Sequence, residues 1–139
     1  MIDIKITRLG TDNSISLATG NSPFKVSGIN KLIQQIVKMI LTTPGTDMWN
    51  PGIGAGVKRI LTMNSSNENA KFVCGQIAIS IKDTEGYMLQ EQIGIILDDD
   101  EALKALDLVR CYYDSSNDRW QIILNVTTRS DRSSVVNIF

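Results

Sequence analysis

The segment "SGINKLIQQIVKMILTT", residues 27–43, constrains the fold more than any other. Ile29, Leu32, Ile33, Ile36, Val37, Ile40 and Leu41 recur at the three- and four-residue spacing of a single helix face. A stripe of that width is stable only when buried against a second apolar surface. Ser27 stands where an N-cap belongs and Pro44-Gly45 supplies the stop, so the spacing predicts a helix over about 28–42. A chain of 139 residues buries roughly two thirds of its unfolded surface on folding. The expectation is one domain, 1–139, with a core that needs neither disulfide nor metal.

The surface for that stripe to pack on is predicted elsewhere in the chain. Ile2, Ile4 and Ile6 alternate with polar residues, and Ile15 and Leu17 repeat the pattern after "LGTDNS", which predicts a β-ribbon with strands at about 2–8 and 14–19. "KRILTMN" reads as a short strand or turn. A second, longer helix is expected from Ser66 as N-cap, with Phe72, Val73, Ile77, Ile81 and Met88 on its apolar face and a break near 84–87 prompted by Gly75 and Gly86.

"LDDDEALKALDL" carries consecutive acids, whereas calcium loops space their carboxylates at alternate positions. An acidic N-cap and first turn therefore predict a short helix over about 99–105. From "LVRCYYD" onward, aromatic and β-branched runs around "SSND" and "SDRSS" read as a three-stranded meander, with Trp120, Ile122, Leu124 and Val126 on one face. Its last strand, "VVNIF", is either clasped in the sheet or left as an edge for another chain. The fold class is α+β: an N-terminal ribbon, two main helices and a C-terminal antiparallel meander, with the helices on one face of the sheet.

Composition narrows the chemistry. Fourteen Lys plus Arg nearly cancel fifteen Asp plus Glu, leaving no strong field to hold nucleic acid or an anionic membrane. Histidine is absent, which removes the commonest general base and zinc ligand. The two cysteines, Cys74 and Cys111, lie in apolar stretches without metal or redox spacing and are expected as buried, reduced thiols. "MIDIKITRLG" alternates and lacks the basic start and apolar run of a secretory signal, so a cytosolic setting is expected.

"TTPGTDMWNPGIGAGVKRIL", residues 42–61, poses the functional question. It is no phosphate loop: Lys58 comes one residue late after Gly56, Pro51 stands where the first glycine belongs, and Arg59 replaces a hydroxyl. "GIGAG" does not match GxGxxG either. A flexible linker is disfavoured because Trp49, Ile53, Val57 and Ile60 interleave with the glycines and want burial. The segment reads as a structured corner in which Trp49 and Ile53 anchor in or beside the core, while Gly52, Gly54 and Gly56 let the chain pass close to a neighbour.

A helix ending "ILTTPG" and followed by "WNPGIGAGV" resembles the tail sheath initiator family, small baseplate wedge proteins of contractile phage tails. That lysozyme-like baseplate family also includes a component of type VI secretion baseplates. The matched positions are Leu41, Thr42, Pro44, Gly45, Pro51, Gly54, Gly56 and Val57, with Trp49 and Gly52 in the same candidate interface. The resemblance implies a structural protein without enzymatic activity or cofactor, located in the virion baseplate and assembled in the host cytoplasm. It further implies six copies around the tail tube and a fold like the conserved domain of the sheath subunit. Partners would be the wedge proteins, the tail sheath protein and the tail tube, with no nucleic acid and no membrane.

Sheath polymerisation would start by β-strand exchange with the first sheath ring. The implied exchange segments are Ile2, Ile4 and Ile6 at one end and Val135, Val136, Ile138 and Phe139 at the other. Family members often carry Glu-Pro-Arg before the meander as a wedge-docking group. Here Glu101 matches the acid, Ala102 and Leu103 replace the next two residues, and Lys104 offers a charge. Two other readings stand beside this one. One is a different virion connector, such as a tail terminator or head-completion protein; the other is a muramidase, which needs two facing carboxylates, drawn here from Glu85, Glu91, Glu101 and Asp98 to Asp100.

Overall fold

A computed structural model of the chain describes residues 3–5, 7–9, 15–17, 24–63 and 69–138, with side chains from 26–62 and 69–138. Helix α1, Ile29–Leu41, forms as its stripe dictates: Leu32, Ile33, Ile36, Val37 and Ile40 are buried. Each contributes roughly 2 kcal/mol by leaving water. Gly28 rather than Ser27 occupies the N-cap, at φ 65°, and no side chain of the first turn caps the helix. The polar partner comes from far along the chain, as described below. At the other end Thr42 turns out of the helix, its N–H and hydroxyl both directed to the Lys38 carbonyl at 3.1 and 2.6 Å.

The N-terminal strands β1, Asp3–Lys5, β2, Thr7–Leu9, β3, Ile15–Leu17, and β4, Phe24–Val26, form two short antiparallel pairs, β1 with β4 and β2 with β3. Val26 reaches the core. Ile2, ahead of β1, and the residues between these strands, Ile6 among them, lie outside the described residues.

"VKRILTM" is helix α2, Val57–Met63, not a strand or turn. It starts directly after Gly56, which at φ 66° turns the chain so that Val57 is fully buried. Helix α3, Ala70–Glu91, is continuous through the expected break. Val73, Ile77, Ile81, Thr84 and Met88 form one buried line, and the glycines lie on the outer face, where a Cβ at Gly75 or Gly86 would touch nothing. Packing along the inner line overrides two local penalties of about 1 kcal/mol each. Asn69 takes the N-cap, Ser66 lies outside the described residues, and Phe72 is exposed.

The short helix expected over 99–105 is absent. Asp98 O accepts the N–H groups of Glu101 and Ala102 at 2.8 and 3.1 Å, closing a single turn, and strand β5, Leu103–Asp114, begins at once. A register shift between Leu103 and Ala105 puts Leu103 and Leu106 on the buried side together. That shift gives a strand the three-residue spacing of a helix. Strands β6, Arg119–Thr128, and β7, Ser133–Asn137, complete an antiparallel sheet ordered β5-β6-β7. Trp120, Ile122, Leu124 and Val126 share its buried face, and α3 packs across β5. The chain is thus α+β, with three helices and a three-stranded antiparallel sheet around one described core. No described helix is long and apolar enough to cross a membrane.

Candidate functional site

The proline–glycine corner is built on the end of α1. The Ala55 N–H returns to Met39 O at 3.2 Å and the Gly45 N–H meets Pro51 O at 2.9 Å, so both ends of the loop are tied down. Gly54 sits at φ 125°, where a Cβ would lie 2.5 Å from Thr42 O and 2.9 Å from Pro44 N. Gly56 faces the Pro44 ring. The close approach that Gly54 permits is therefore to the protein's own helix end, whereas Gly56 is called for by its positive φ.

The tip of this loop is ordered by polar groups. The Asp47 carboxylate accepts the N–H groups of Trp49 and Asn50 at 2.8 and 3.0 Å. Those bonds, the Asn50 one foremost, hold its pKa below the ordinary range. Asn50 Nδ2 donates to Tyr87 Oη on α3 at 3.0 Å. Trp49 does not anchor the corner: it is 92% exposed, beside an exposed Met48, while Pro51 and Gly52 are also on the surface. Val57 does the anchoring, with Ile53 and Ile60 half-buried. An exposed Trp on a hydrogen-bonded loop is the kind of anchor that a partner's pocket receives.

Glu101 and Lys104 point to different tasks. Glu101 is buried; its carboxylate accepts the Gly28 N–H at 3.2 Å and pairs with the equally buried Lys31 ammonium at 3.2 Å. Burial pushes its pKa up, but the Gly28 N–H and the Lys31 charge outweigh that and hold it below the ordinary value. It is the anionic partner of the α1 N-terminus. It is turned into the fold and so offers no docking contact at the surface. Lys104 is exposed and ion-paired with Asp131.

The acidic run lies at the mouth of a cavity of about 600 Å³ lined by Ser27, Gly28, Asp98 to Glu101 and Ser130. Asp99 faces Arg129 at 3.7 Å, and Asp100 accepts from Ser130 Oγ and from Arg132 at 3.2 Å. The Ser130 bond and Arg132 hold the Asp100 pKa low. For Glu101 and Asp100 the direction is the wrong one for a general acid. No cluster of three or more His, Cys, Asp or Glu able to hold a metal occurs among the described residues.

The two outer edges of the sheet differ. On β5, Lys82 Nζ donates to Leu106 O at 3.0 Å and Glu85 Oε2 accepts the Leu106 N–H at 2.6 Å, so α3 side chains occupy the edge there. On β7 no further strand pairs among the described residues. The Ile138 N–H goes to Ile122 O at 3.0 Å, so by alternation the N–H groups of Val135 and Asn137 face outward. Val135 is 45% exposed, whereas Val136 is fully buried and Ile138 packs on the core. Asn137 Oδ1 is buried without a hydrogen-bond partner among the described residues. Ile4 pairs with Lys25 in the β1–β4 pair, and Phe139 lies outside the described residues.

The sequence reading missed Lys31 and Lys82, and named Glu85 only as a candidate carboxylate. Lys82 and Glu85 are visible in sequence as an ordinary i,i+3 helix pair, and nothing local shows that both reach a strand backbone. No family model, curated protein or solved structure matches the chain.

Proposed function

We propose that this protein is a structural component of a contractile tail baseplate that docks on wedge proteins around the tail tube, six copies per baseplate, in a fold resembling the sheath subunit's conserved domain. It initiates sheath polymerisation by receiving a strand from the first sheath ring on the outer edge of β7. The observation that carries this reading is the asymmetry of the sheet: side chains of α3 occupy the β5 edge at Leu106, and β7 presents outward N–H groups at Val135 and Asn137. Backbone hydrogen bonds along such an edge supply affinity, and alternating side chains set register. The exposed Trp49 and Met48 at the corner supply the second contact, toward a wedge protein.

Val135→Pro tests the strand-exchange step. Proline is tolerated where the N–H points away from the sheet, so the variant folds with its β6 pairing intact and lacks one outward donor. Baseplates carrying it are expected to assemble but to nucleate few or no sheaths in electron micrographs. Sheaths of normal number and length would overturn the proposal. Deleting residues 135–139 is a poorer test, because it removes the buried Val136.

A further inference from the structure

Cys74 and Cys111 are 37 positions apart, on α3 and β5, yet the packing of helix on sheet brings their sulfur atoms to 2.8 Å. The Cys74 sulfur is also 3.1 Å from the Cys111 carbonyl oxygen. Both are free thiols and both are half-buried. A covalent sulfur–sulfur bond needs an approach of less than about 1 Å more. Neither sequence neighbourhood has a CxxC spacing, so only the tertiary fold creates the pair.

We propose that Cys74 and Cys111 form a reversible disulfide staple between α3 and β5, closed by exchange with a low-molecular-weight disulfide when the protein passes from reducing to oxidising surroundings. The proposal is independent of the baseplate reading. In the first step one of the two thiols loses its proton and its thiolate attacks one sulfur of the small disulfide. A mixed disulfide forms, and one small thiolate leaves and takes up the proton. In the second step the other cysteine, already 2.8 Å away, loses its proton and attacks the capped protein sulfur, expelling the second small thiolate, which is protonated in turn. Two protein thiols are oxidised and one small disulfide is reduced to two thiols.

Burial, reinforced by the neighbouring Cys74, pushes the Cys111 thiol up to about 12, so the exchange speeds up as pH rises. The closed staple fixes α3 over β5, the same helix whose Lys82 and Glu85 occupy the β5 edge. It also closes a long loop in the unfolded chain, which raises Tm by on the order of 10 °C.

The test uses the purified full chain equilibrated in glutathione buffers from reducing to oxidising, quenched in acid, alkylated and weighed intact. Both thiols are expected to disappear together with the loss of two hydrogens, in a monomer whose Tm has risen and which dithiothreitol restores. Alkylatable thiols at the most oxidising poise, a persistent single glutathione adduct, or cysteine-linked dimers would each overturn the staple. In Cys111→Ser and in Cys74→Ser, one glutathione is expected to remain trapped on the remaining cysteine. Its absence from both variants would overturn the exchange route.

Discussion

A methyl group added at Gly54 would sit 2.5 Å from the Thr42 carbonyl oxygen, an atom fixed in the backbone at the end of α1. Gly45, also at positive φ, has open space around its missing Cβ. The two glycines therefore separate steric from conformational demand. Gly45→Ala is expected to cost about 1 kcal/mol, the usual strain of a left-handed residue. Gly54→Ala is expected to cost more than about 2 kcal/mol and to loosen the corner, read as a larger drop in the denaturation midpoint. At the same scale, Glu101→Ala leaves Lys31 buried without its partner and is expected to cost about 3 kcal/mol. Because the folded pKa of Glu101 lies below its ordinary value of 4.5, its contribution is present above that pH and is lost as pH falls through the lower, folded value. Glu101→Gln should flatten that part of the acid unfolding curve. Neither the Trp49 exposure nor the Lys31–Glu101 pair was legible in the sequence. The first depends on an Asp47-capped turn that satisfies the loop without burying it, and the second joins residues seventy positions apart.

Among the elements, α1 was legible because its stripe and its stop are both local. The length of α3 was not, since the two glycines signal a break that only the packed inner line of Val73 to Met88 overrides. Both glycines face open space within helical backbone, so Gly75→Ala and Gly86→Ala should each raise stability by about 0.5–1 kcal/mol in urea titrations. Helix α2 spans two turns, too few to show a period, and its start is set by Gly56 rather than by a capping side chain. The start of β5 read as helix because the acidic run looks like an N-cap and first turn, but only one turn closes on Asp98 O before the strand begins. The meander was legible, as alternation and turn residues are both near neighbours in sequence. Which edge of that sheet is open depends on the reach of Lys82 and Glu85, and no pattern within β5 or β7 encodes it.

At the scale of the whole molecule, one core joins α1, α2, α3 and the inner face of the sheet. Among the described residues, the Trp49 tip and the β7 edge are both turned outward. An exposed aromatic side chain and a strand edge left unpaired among the described residues fit the proposed role, in which the protein is held on one side and extended on the other. The proposed baseplate role is tested most directly by an electron-microscopy map of particles that contain this chain. It should place six copies in a ring between the wedges and the first sheath ring, each with a sheath strand running along the outer edge of Ser133–Asn137. A map that puts the chain elsewhere in the particle, or leaves that edge without a foreign strand, would contradict the account.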